Sequence, residues 1–75
     1  MFNYLTGCVK DCSEKNVTLD IGGIGFALMV PQIAALVPGK THTLFTYFHW
    51  NQESGPSLYG FCTELERTVF LLIID

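Results

Sequence analysis

The sequence predicts a mainly β fold: a five-stranded Greek-key barrel with a short helical insert after the third strand and a helix at the C-terminal end. Three observations predict it. Apolar residues alternate with polar ones in short runs, as in Val17, Leu19 and Ile21 and again in Phe26, Leu28 and Val30. Glycines and prolines punctuate the intervals between runs. The segment Thr63-Glu64-Leu65-Glu66 is a capping box, with a threonine to cap a helix and a glutamate three residues on to reach back.

Residues 2–9 are rich in aromatic and branched side chains and contain no proline, which predicts a first strand with Phe2, Tyr4, Thr6 and Cys8 on one face. The polar cluster Lys10-Asp11-Cys12-Ser13-Glu14-Lys15-Asn16 predicts a turn. Val17 to Ile21 has the period-two pattern of a half-buried second strand. Gly22-Gly23-Ile24-Gly25 interrupts the alternation, which Phe26, Leu28 and Val30 resume, so the two runs form a hairpin. These glycines serve turn geometry, not a phosphate loop: no lysine follows at the required spacing, and a strand comes next, not a helix.

Pro31 to Val37, closed by Pro38-Gly39, has room for one or two helical turns. Lys40 to Trp50 is the longest β-prone run, with Leu44, Thr46, Phe48 and Trp50 on one face and Thr43, Phe45, Tyr47 and His49 on the other. Bulk on both faces suits a long strand serving two parts of a closed sheet. His42 and His49 are seven apart and therefore on opposite faces, so they cannot share a metal and are read as structural. Asn51-Gln52-Glu53-Ser54-Gly55-Pro56 predicts a solvated loop, and Ser57 to Phe61 a short fifth strand. In the final helix Leu65, Val69, Leu72 and Ile73 follow an amphipathic stripe, while Phe70, Leu71 and Ile74 fill the other faces. A helix apolar all round needs a cover, and this one ends without a glycine cap or a basic last turn.

Composition narrows the function classes. Seventy-five residues hold one domain. A core of that size supplies only about 3–5 kcal/mol, so partners are expected to help. With 49% hydrophobic and 15% charged residues, disorder is excluded and an apolar contact surface is expected. A net charge of -3 is the reverse of the basic footprint of a protein that grips phosphates unaided. Cys8, Cys12 and Cys62 are an odd count, which fits a reducing cytosol, and no histidine stands at zinc-finger spacing. No metal or cofactor is expected. The N-terminus lacks the pattern of a signal peptide, and the longest apolar run, Val69 to Ile74, is too short to span a bilayer.

Five strands, an insert after the third and a helix after the fifth correspond to a barrel of the OB type. Several motifs in order go further. The chain starts with Met1, Tyr4, Leu5 and Gly7 in the form Met-x-x-Tyr-Leu-x-Gly, followed by Gly22-Gly23-Ile24-Gly25-Phe26 and by Pro31 after the third strand. Phe45-Thr46 then precedes Leu58-Tyr59-Gly60-Phe61, which leads into Glu66-Arg67-Thr68-Val69-Phe70. In this combination, which covers essentially the whole chain, the sequence resembles the N-terminal domain of the RuvA family, the Holliday-junction-binding subunits of the bacterial branch-migration machine.

The resemblance implies a catalytically inert architectural domain in a homotetramer that holds four-way junction DNA flat. It implies that DNA is gripped mainly by helix-hairpin-helix motifs in a second domain, and that a third domain contacts a RuvB-type hexameric ATPase. Residues 1–62 would then be the barrel and 63–75 the start of the helix leading to the second domain, in a bacterial, cytoplasmic protein of recombination and repair. The family also carries an acidic pin, typically Arg-Glu-Asp, between the fourth and fifth strands, where like-charge repulsion steers phosphate backbones apart. The pin loop here, Asn51, Gln52 and Glu53, is one residue longer than the common form and keeps one acid, so either Gln52 or Glu53 occupies the tip. The competing reading is a generic OB module that binds single strands through Tyr47, Phe48 and Trp50 with Lys40, or one that serves oligomerisation alone. The acid surplus argues against the single-strand reading.

Overall fold

The computed structural model describes residues 2–31, 36–53 and 55–74. Five strands and a helix follow in order: β1 (Tyr4–Ser13), β2 (Asn16–Ile21), β3 (Ile24–Met29), β4 (Thr41–Asn51), β5 (Gly55–Phe61) and α1 (Glu64–Ile74). The strands close into a barrel in the order β1-β2-β3-β5-β4, with β4 returning to β1. All neighbours are antiparallel except β3 and β5, which run parallel and meet at Met29 and Tyr59. This is the five-stranded OB-like arrangement the sequence predicts.

The first strand extends beyond its expected end. Instead of turning at Lys10, β1 runs to Ser13, because Asp11, Cys12 and Ser13 pair with Thr18, Val17 and Asn16 and so satisfy their backbone groups on β2. The turn shrinks to Glu14-Lys15, with Glu14 at φ 54°. A bulge between Val9 and Asp11 makes this possible. It changes the inward parity, so that Leu5 and Val9 face the core before it and Cys12 after it. The next turn is also tighter than the glycine run suggests. Gly22 and Gly23 alone form it, at φ 59° and 89°, and the Asp20 carboxylate accepts the Gly23 N–H at 2.9 Å. Gly25 already belongs to β3, opposite Asp20.

The barrel is filled by Val9, Val17, Leu19, Leu28, Val30, Leu36 and Leu44. Each fully buried aliphatic side chain contributes on the order of 1.5–3 kcal/mol. Gly7 lets β1 pass close to β2: a Cβ there would stand 2.5 Å from the Asp20 carbonyl oxygen. One end of the barrel is closed by backbone bonds from Val9 N–H to Lys40 and from Gly39 N–H to Val9. His42 Nε2 accepts the Val37 N–H at 3.2 Å, which gives this histidine a structural task. The core of the helical insert expected over 31–37 lies outside the described residues, although Leu36 is buried.

Candidate nucleic-acid interface

The pairing of β1 with β4 ends at Tyr4 and Phe45, and one further backbone bond joins Thr46 N–H to Asn3. Thr46 is buried and its hydroxyl donates to the Phe2 carbonyl. Beyond this point β4 pairs only with β5, from Tyr47 opposite Tyr59 to Asn51 opposite Gly55. The result is a two-stranded ribbon that continues past the barrel wall. The expected six-residue loop is therefore much shorter, because Asn51, Gly55 and Pro56 are drawn into the ladder.

At the ribbon's end Gln52 and Glu53 form the turn, and both are exposed, as is Asn51. The Asn51 side-chain oxygen accepts the Glu53 N–H at 2.7 Å, and Gly55 takes φ 80°. The side-chain bond holds the turn as a backbone bond would, which stiffens the tip. All three residues of the expected pin loop are thus brought together at one projecting end. Glu53 is the single formally charged residue between Lys40 and Glu64, so the ribbon presents one carboxylate and no cation.

The ribbon's two faces differ. Tyr47, with Tyr59 across from it, is covered by α1 through Phe70, at ring-centroid distances of 6.2 and 5.1 Å. Phe61 stacks on the same Phe70 at 5.0 Å. On the opposite face Phe48 and Trp50 stand exposed, Trp50 at 64%.

The helix that braces the ribbon is fastened at its start. Thr63 caps it, its hydroxyl accepting the Glu66 N–H at 3.1 Å. Glu66 reaches back to the N–H of Cys62, one residue before the cap, and not to that of Thr63 itself. Arg67 fastens the helix further. Its Nη1 donates to the backbone and side-chain oxygens of Asn3, both at 2.9 Å, and to the Thr46 carbonyl at 3.1 Å. Its guanidinium lies 5.7 Å from the centre of the Phe45 ring. The pairing of Leu58-Tyr59-Gly60-Phe61 with Glu66-Arg67-Thr68-Val69-Phe70 now has a physical reason, since one motif supplies the aromatic floor and the other the carboxylate that reaches back to Cys62, the clasp and the ring that dock on it.

The stripe of Leu65, Val69, Leu72 and Ile73 is not the docking face. These residues are exposed, Leu72 and Ile73 at 75%, while Arg67 and Phe70 turn inward. Periodicity located the apolar stripe correctly and said nothing of which face the barrel would take. The side of Arg67 and Phe70 wins because it offers hydrogen bonds and ring contacts that the aliphatic stripe lacks.

All three cysteines are free thiols and partly buried. Burial, with the nearby Glu66 carboxylate as the second cause, pushes the Cys62 thiol above its ordinary pKa, which favours its protonated form. Among the described residues no group of three or more His, Cys, Asp and Glu is placed to hold a metal. Nothing in the sequence marked Asn3 and Thr46 as the receivers of the Arg67 clasp, because two of the three acceptors are backbone carbonyls, which carry no side-chain signal.

The sequence profile of the RuvA N terminal domain matches residues 1–60. Curated relatives extend the match over the chain. One from Desulforudis audaxviator, named Holliday junction branch migration complex subunit RuvA, is 34% identical over 99% of this chain and 38% of its own length. The proteins of the same name from Halothermothrix orenii and Salinibacter ruber are 39% and 37% identical, over 100% and 93% of this chain and 39% and 36% of theirs. The chain therefore spans a little over a third of the length of the curated relatives it matches.

Proposed function

The chain belongs to the RuvA N-terminal domain family, and from that premise we propose that it is the junction-shaping domain of a Holliday-junction-binding subunit in recombination and repair. The observation that carries the reading is the stiffened tip at Gln52-Glu53, held clear of the barrel on a ribbon with one acid and no base. A rigid, weakly acidic projection is suited to parting phosphate backbones and unsuited to gripping them. The grip, on this reading, comes from helix-hairpin-helix motifs in a second domain that α1 leads to, with residues 1–62 as the barrel. A RuvB-type hexameric ATPase engages a third domain and supplies the motor. The assembly is a homotetramer around four-way junction DNA, and its compartment is the bacterial cytoplasm. Among the described residues no helix is long and apolar enough to cross a membrane.

The test is a chimera in which this chain replaces the corresponding segment of the Halothermothrix orenii protein, its relative at 39% identity. Binding to a synthetic four-way junction well above binding to duplex of equal length is the expected result. A chimera that binds tightly to single strands with no junction preference contradicts it. A second reading, oligomerisation alone, is favoured by the exposed stripe of α1. It predicts a folded, self-associating chimera with no junction binding.

A further inference from the structure

The ribbon that carries the pin turn has one face packed and one bare. The bare face begins where Thr46 leaves the barrel and carries Phe48, 39% exposed, and Trp50, 64% exposed, directly before the turn. Large aromatics on an isolated ribbon end are costly to leave in water, and here they are not part of the closed core. We propose that Trp50 is a stacking platform for an unpaired nucleobase at the centre of a DNA junction, a role separate from that of the acidic tip. The inference rests on the junction-binding reading and names what that reading leaves open, the ligand of this face.

Charge selects the occupant. The whole stretch from Thr41 to Thr63 carries no lysine or arginine, so the face offers nothing to a phosphate. It offers an indole surface, and every base has a π-face that stacks on one without sequence preference. A carboxylate on the same turn, that of Glu53, repels backbone and accepts from the exocyclic amino groups of bases. Bases within duplex arms are stacked on each other and unavailable. Those at a crossover are exposed whenever a pair opens, and the pin turn that would part the strands immediately follows Trp50. Trp50 then holds the base that the turn has freed.

Trp50 is the only tryptophan of the chain, so its indole N–H gives one resonance that reads the site directly. The experiment titrates the chimera described above, isotope-labelled only in this chain's residues, at low salt with a four-way junction, with duplex of equal length and with a single strand. The expected result is an upfield shift of the indole signal with the junction, larger than with duplex. With Trp50→Ala, followed at the Glu53 amide, binding weakens by roughly fivefold or more, the loss expected for one stacked base. Junction-induced shifts at Gln52 and Glu53 with the indole unmoved overturn the proposal and leave the junction reading intact. An indole that responds to single strand but not to junction keeps the stacking and removes the junction reading. An indole that shifts on dilution of the protein without DNA, or that no DNA moves, overturns the proposal.

Discussion

Arg67 on α1 donates a hydrogen bond to the backbone carbonyl of Asn3, 64 residues earlier in the chain. The same Nη1 also reaches Thr46, so one guanidinium ties the helix to the entry of β1 and to the point where β4 leaves the barrel. The ribbon that presents the turn is thereby anchored at its root.

Removing that anchor loosens the root of the ribbon before it affects the core. Arg67→Ala is expected to cost about 1.5–3 kcal/mol, the range for hydrogen bonds from a charged donor. Arg67→Lys recovers only part, since an ammonium lacks the planar fork that serves several acceptors at once. Urea unfolding of the three proteins checks the order, and an alanine variant as stable as the parent excludes the clasp.

Two family glycines separate by what a methyl group would meet. At Gly7 the new Cβ lies 2.5 Å from a backbone oxygen and 2.6 Å from Ile21 Cγ1, and the backbone cannot retreat without breaking the barrel ladder. At Gly60 it meets the ends of the Leu28, Leu44 and Val30 side chains at 3.1, 3.2 and 3.3 Å, which can shift by a few tenths of an ångström. Gly7→Ala is therefore expected to destabilise by about 1–3 kcal/mol and Gly60→Ala by less. Thermal melts of both variants test the ranking.

The Cys62 thiol is held protonated by burial and, secondarily, by Glu66. Its raised pKa favours the fold while the thiol is neutral. That contribution is complete below the unfolded thiol's ionisation range and is lost as pH rises through the folded value. Alkylation of Cys62, followed by mass spectrometry of peptides, is expected to need a higher pH in the folded chain than in urea. Glu66→Gln lowers that pH only partly, because desolvation is the larger cause.

In the chimera, Glu53→Gln removes the single charge of the turn and leaves its shape, since the Asn51 bond is to the backbone of residue 53. Junction binding is expected to persist, with branch migration altered by about fivefold or less, the scale of one exposed charge. An unchanged migration rate assigns the turn a purely steric role.

Much of the fold was legible because β2 and β3 each bury one face, and a half-buried strand writes that burial as alternation in Val17, Leu19, Phe26 and Leu28. The extension of β1 was not legible. Lys10 to Ser13 is polar, and only its pairing with β2 makes it a strand. The position of the Gln52-Glu53 turn was visible between two β-prone runs, whereas its tightness depends on the pairing of Gly55 and Pro56 with β4, residues that read as breakers in isolation. The docking face of α1 was hidden for a third reason: an apolar stripe marks hydrophobicity, while the barrel selects Arg67 and Phe70 by directed contacts with Asn3, Thr46, Tyr59 and Phe61.

The central claim is that the Gln52-Glu53 turn meets the point where strands exchange, and a crosslink reads this most directly. A photoreactive side chain at Gln52 in the chimera, bound to a four-way junction, is expected to attach to nucleotides within a few positions of the crossover on all four strands. Attachment spread evenly along the arms, or no attachment despite junction binding, would contradict the account.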